Sequence, residues 1–101
     1  MTIAKDIKTI RSRSLPILRR YGVRKASIFG SFARGEQLKK SDVDVLIEPP
    51  STMGLLALIG LQQDLEERLK REVDVVTYNS LHRRIRDRVL NEQIVIYEKR
   101  P

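Results

Sequence analysis

Ser27-Ile28-Phe29-Gly30-Ser31-Phe32-Ala33-Arg34-Gly35, followed six residues later by Asp42-Val43-Asp44-Val45-Leu46-Ile47-Glu48, is where the chain is most informative. Lys25 to Phe29 reads as a short strand stopped by Gly30. Asp42 to Glu48 begins with strict polar–apolar alternation and becomes continuously apolar, as in a strand that runs into a core; Pro49-Pro50 ends it. Side chains alternate along a strand, so Asp42 and Asp44 share one face with Cα atoms roughly 6.5–7 Å apart, while Val43 and Val45 face the core. Between the strands, Gly30-Ser31 opens a short helix that Gly35 lets the chain leave.

Upstream, Ile3, Ile7, Ile10, Ser14, Ile17 and Tyr21 recur at steps of four and three, a helical stripe. Pro16 is expected to kink or split this helix, and Tyr21-Gly22 to stop it. Downstream, Ser51 or Thr52 is expected to cap a helix running to about Arg71, with Leu55, Leu58, Ile59, Leu65 and Leu69 inward. Asp64–Arg68, Glu66–Lys70 and Glu67–Arg71 would pair on its outer face. Val73 to Thr77 reads as a third strand carrying Asp74. Ser80 would cap a last helix with Leu81, Ile85 and Val89 on one face, and Ile94 to Tyr97 would close the chain as an edge strand. The order of elements predicts an α/β (α+β) fold, a small mixed β-sheet flanked by helices. One domain is expected over residues 1–101, with a basic helical segment at 1–22, a catalytic core at 25–77 and a closing helix and strand at 80–97.

With 101 residues and no cysteine, the chain has no disulfides or thiolate metal sites. His82 is its single histidine and reads as a surface residue, so a bound metal would be a hard cation held by oxygen. Leu55 to Leu61, the longest apolar stretch, is interrupted by Gly60 and is too short to span a membrane. Met1 to Lys8 lacks the continuous apolar core of a signal peptide. A cytoplasmic, membrane-free protein is expected.

The net charge of +7 is uneven. Lys5, Lys8, Arg11, Arg13, Arg19, Arg20, Arg24 and Lys25 face only Asp6 within the first 25 residues, and charges cancel over the rest. Such a segment attracts acidic partners or nucleic acid, or is simply a solvated helix face. The same holds for Arg83, Arg84, Arg86 and Arg88. No aromatic residues interleave with these charges to stack on bases, which leaves direct nucleic-acid binding a weaker reading.

If the strands of Asp44 and Asp74 are neighbours, Asp42, Asp44 and Asp74 converge on one patch. Three packed carboxylates repel one another and raise each other's pKa, a state a divalent cation relieves. Two such ions about 3.5–4 Å apart suit in-line displacement at phosphorus, and Mg²⁺ favours carboxylates combined with substrate phosphates. Gly30, lacking a Cβ, lets a phosphate approach the backbone, and Ser31 offers a hydroxyl and an N–H. Arg34, one turn on, would either meet the phosphates or pair with an acid. Lys39 and Lys40 would steer substrate inward or lie in a solvated loop. Tyr78, after the third strand, would stack on a base or serve the fold. Neither a Gly-x-x-x-x-Gly-Lys loop nor a Gly-x-Gly-x-x-Gly fingerprint occurs.

The stretch from Ser27 to Gly35, continued by Ser41-Asp42-Val43-Asp44-Val45-Leu46-Ile47, resembles the minimal nucleotidyltransferases of the DNA polymerase beta superfamily. Arg71-Glu72-Val73-Asp74-Val75-Val76-Thr77 resembles their third-acid strand. The resemblance implies that Gly30 and Ser31 hold the triphosphate, that Asp42 and Asp44 bind two Mg²⁺ ions, and that Asp74 completes the metal site beside the attacking hydroxyl. It further implies transfer of a nucleoside monophosphate, AMP from ATP above all, to a HEPN-domain partner, with this chain as the antitoxin of the pair. Independently, about 100 residues supply little beyond a triphosphate cradle, so another molecule must present the acceptor. The alternative is an antitoxin that merely covers its partner.

Overall fold

Asp6 starts the first helix: its carboxylate accepts the Thr9 N–H at 2.7 Å, and α1 follows from Ile7 to Arg20. The structure is a computed structural model and describes residues 6–37 and 42–99; the expectations placed on Ile3, Lys5, Lys39, Lys40 and Ser41 fall outside the described residues. Pro16 does not split α1, which runs through it as one helix. Proline removes one helical hydrogen bond, but Ile10, Ser14, Ile17 and Leu18 are buried around it, and that packing keeps the helix continuous. Gly22, at φ +72°, ends the helix as expected.

The remaining elements are β1 (Lys25–Phe29), α2 (Gly30–Arg34), β2 (Val43–Glu48), α3 (Leu55–Leu69), β3 (Val73–Thr77), α4 (Arg83–Glu92) and β4 (Ile94–Glu98). A short 3₁₀ turn at Tyr78–Ser80 precedes α4. The four strands form one mixed sheet in the order β3-β2-β1-β4. β1 pairs antiparallel with β2 and β4, whereas β2 and β3 run parallel, joined by the α3 crossover. Val43, Val45 and Ile47 point from β2 into the main core, where Leu61, Leu65 and Leu69 of α3 and Ile10 of α1 meet them. On the opposite sheet face Leu46 joins Leu81 and Val89 in a smaller cluster against Phe29, Val76 and Tyr78.

Several sequence expectations change here. Gly54, not Ser51 or Thr52, is the N-cap of α3. Its buried line is Leu61, Leu65 and Leu69, with Leu58 partly buried beside it. At about 100° per residue Ile59 lies well round the helix from that line, and Leu55 is the first residue of the helix; they are 45% and 72% exposed. Asp64 and Glu66 reach away from their expected helical partners. Asp64 accepts Tyr21 Oη at 2.6 Å and Arg20 at 3.1 Å from α1. Glu66 and Gln62 accept the N–H groups of Val73 and Val75 at 3.0 and 3.3 Å, so α3 satisfies the outer edge of β3. Ser80 does not cap α4; His82 does, its Nδ1 accepting the Arg84 N–H at 3.1 Å. Leu81 therefore precedes the helix, and Ile85 is exposed rather than part of a stripe. β4 is an edge strand, as read, with Arg11 Nε donating to the Ile96 carbonyl at 3.0 Å.

Candidate active site

The parallel pairing of β2 with β3 places Asp44 directly opposite Asp74, and the antiparallel pairing of β1 with β2 places Asp44 opposite Phe29. One carboxylate is thus flanked by the third acid on one side and by the β1–α2 turn on the other. Asp44 and Leu46 share a sheet face. The cluster around Leu46, with α4 above it, covers the far part of that face. The near part stays open: Asp42 and Asp74 are exposed and Asp44 is half-buried.

Gly30 has φ +72°, a conformation L side chains rarely adopt. A Cβ there would collide with Asp44 Oδ2 and stand 3.1 Å from its Cγ. The missing side chain is what lets turn and carboxylate pack together. Phe32, buried on α2, fixes the helix against the body of the protein, with the Arg71 guanidinium 5.0 Å over its ring. Gly35, at φ +70°, turns the chain out of α2.

Partial burial, first, and the charges of Asp74 and Asp42, next, push the Asp44 carboxyl above its ordinary range. Arg34 opposes this and Glu92 adds to it. Among the described residues no three acidic side chains stand closed around a cation site as they are. The donor chemistry nonetheless fits one: a half-buried carboxylate strained by like charge lies between two exposed carboxylates, all oxygen ligands of the kind hard cations take.

Of the two partners open to Arg34, the structure shows acids. Its Nε donates to Glu36 and its Nη1 to both oxygens of Glu92 at 3.3 Å, and the two carboxylates, Glu36 foremost, hold the guanidinium still more firmly protonated. Glu92 Oε1 also accepts the Gly30 N–H at 3.2 Å. Glu92 was missed in the sequence, where the charges of the last helix look solvated. The available signal was its place three residues after Val89, on the buried face of that helix. Tyr78 serves the fold: its hydroxyl pairs with Ser27 at 2.8 Å and donates to Gln93 Oε1 at 2.7 Å. His82 is exposed, as are Arg83, Arg84, Arg86 and Arg88. No helix among the described residues is long and apolar enough to cross a membrane.

Comparison with known proteins agrees with this fold. The family model described as polymerase beta, nucleotidyltransferase matches residues 15–101. A Methanocaldococcus jannaschii protein with the provisional name protein adenylyltransferase is 49% identical over 89 residues, 88% of this chain and 96% of its own length. Protein adenylyltransferase MntA of Thermococcus cleftensis is 37% identical over 97 residues, 95% of this chain and 98% of its own. A solved structure provisionally described as a minimal nucleotidyltransferase superposes with a TM-score of 0.76 at 35% identity, covering 89% of this chain and 95% of that one. A crystal structure of a toxin–antitoxin with AMP-PNP shares the fold at a TM-score of 0.76 and 23% identity, over 88% of this chain and 73% of that one.

Proposed function

The chain belongs to the polymerase beta nucleotidyltransferase family, and from that membership we propose that it transfers AMP from ATP, with Mg²⁺, to a hydroxyl of a partner protein. The observation that carries this reading is the register pairing of Asp44 with Asp74 beside a glycine turn that admits no side chain. The protein-adenylyltransferase names of its relatives support a protein as the acceptor.

In this reading Asp42 and Asp44 supply carboxylate ligands from one strand, and Asp74 supplies the third from its neighbour. Two Mg²⁺ ions, when bound, would join these carboxylates to the triphosphate, ease ionisation of the acceptor hydroxyl and neutralise the departing pyrophosphate. Gly30 leaves space for a phosphate against the backbone, and Ser31 offers its N–H and hydroxyl to phosphate oxygens. Arg34 supplies positive charge beside them. Asp74 lies next to the acceptor and orients its hydroxyl. The acceptor hydroxyl gives up its proton to solvent beside Asp74, its oxygen bonds to the α-phosphorus, the bond from that phosphorus to the oxygen bridging it to the β-phosphorus breaks, and pyrophosphate leaves. Because the three acids sit at an open end of the sheet, the acceptor arrives on another molecule docked there. We place that molecule among HEPN-domain proteins, as the sequence resemblance implies, with this chain as antitoxin; the toxin–antitoxin neighbour of the same fold supports the antitoxin role.

The test is to incubate the protein with Mg²⁺, each nucleoside triphosphate in turn and the HEPN protein encoded beside it, then weigh the partner. An AMP adduct from ATP is expected. A partner that binds this chain yet gains no mass with any triphosphate ends the transferase assignment. The exposed arginines of α4 and the basic α1 favour a second reading, neutralisation by cover alone. Asp44→Asn separates the two, since occlusion survives it and transfer does not.

A further inference from the structure

Glu92 stands beside the acids, and the transfer chemistry gives it no role. Its side chain is only 16% exposed, and it reaches from the end of α4 to two groups at once. One is the Gly30 N–H at 3.2 Å; the other is the Arg34 guanidinium, gripped by both carboxylate oxygens at 3.3 Å. In the triphosphate reading Arg34 is the positive charge beside the phosphates, and the Gly30 turn is the backbone a phosphate approaches. The carboxylate therefore has the charge, the acceptor geometry and the partners of a phosphate oxygen.

We propose that Glu92 is an affinity-setting residue of the triphosphate seat: it holds Arg34 and the Gly30 turn in the nucleotide-free protein and is displaced when a triphosphate takes over those donors. The inference rests on the triphosphate reading of this site. It has a direct consequence. Each binding event exchanges an internal ion pair for an external one, so nucleotide affinity is the difference between the two and not the full strength of the contact with Arg34. Glu36 stays with Arg34 throughout, which keeps the guanidinium oriented while its other partner changes.

Titration calorimetry with Mg·ATP on the full chain tests this. Glu92→Gln retains an acceptor for the Gly30 N–H and drops the charge that holds Arg34. It is expected to tighten Mg·ATP binding about three- to tenfold, the scale of one partly exposed ion pair. In turnover assays the gain should appear as a lower KM for ATP at unchanged kcat, because only the nucleotide-free state is affected. Arg34→Ala should weaken binding, and adding Glu92→Gln to it should bring no further gain, since there is no longer a guanidinium to release. Glu92→Asp, which keeps the charge but shortens the reach, serves where the amide variant folds poorly and should tighten binding in the same direction. Unchanged or weaker binding in folded Glu92 variants overturns the proposal, as does an equal gain in the Arg34→Ala background. Failure of the unaltered protein to bind Mg·ATP at all would instead remove the triphosphate reading itself.

Discussion

Gly30 and Asp44 are in such close contact that the hydrogen on the glycine Cα marks the limit of the space between them: a Cβ would overlap Asp44 Oδ2 and crowd its Cβ at 3.4 Å. Gly30→Ala therefore meets two penalties, a clash with the carboxylate and a φ of +72°. Together they should cost about 1–3 kcal/mol of stability. The expected result is a lower melting temperature together with loss of the thermal shift that Mg·ATP gives the unaltered chain. A Gly30→Ala protein that melts and binds like the parent would show the turn to be looser than described.

Asp44 gives a pH signature whose sign is fixed. Its carboxyl is raised in the fold, so in the range between the ordinary and the raised pKa the folded chain binds more protons than the unfolded one, and stability falls as pH rises. Above the raised value the ionised Asp44 is a standing cost to the metal-free protein. Asp44→Asn should thus melt a few degrees higher than the parent at neutral pH without metal. That advantage should shrink as pH falls through the raised pKa toward the ordinary carboxylate range. Transfer activity should drop at least about a hundredfold. A variant less stable than its parent at neutral pH contradicts the account from burial and like charge.

Pro16 interrupts the hydrogen bonding of α1 without interrupting the helix. Pro16→Ala should restore one bond and stabilise the chain, by up to about 3 kcal/mol. Denaturant titration reads this as a higher midpoint at unchanged slope. A loss of stability would mean that the proline ring itself supports packing in this region.

Mg²⁺ and ATP together should raise the melting temperature. At a hundred times Kd a ligand adds about 2.7 kcal/mol, roughly 10 °C or more for a domain of this length. ATP without metal should do much less, because Asp42, Asp44 and Asp74 repel it. Equal shifts with and without Mg²⁺ would remove the carboxylates from the binding event.

The strands were legible because their patterns are short-range and strict. Val43 to Val45 and Val73 to Val75 alternate around Asp44 and Asp74, and the parallel register then brings the two acids opposite each other. The glycine turn was legible because Gly30, Gly22 and Gly35 stand where the backbone takes positive φ. What could not be read depends on contacts across the fold. Nothing near Asp64 in sequence points to Tyr21, and nothing near Glu92 points to Gly30, 62 residues away. The inward face of α3 was misread because six apolar residues in its first half offer more than one stripe, and the sheet selects among them. Pro16 was over-weighted because a local penalty was set against no tertiary gain.

Gln62 and Glu66 clasp the outer rim of the strand that carries Asp74. Two side-chain acceptors, and not another strand, hold that margin, so this seam is expected to open on warming before the centre of the sheet does. Catalytic competence should then vanish some degrees before compactness does, and strengthening this seam would extend the working range of the enzyme without altering any residue that touches substrate.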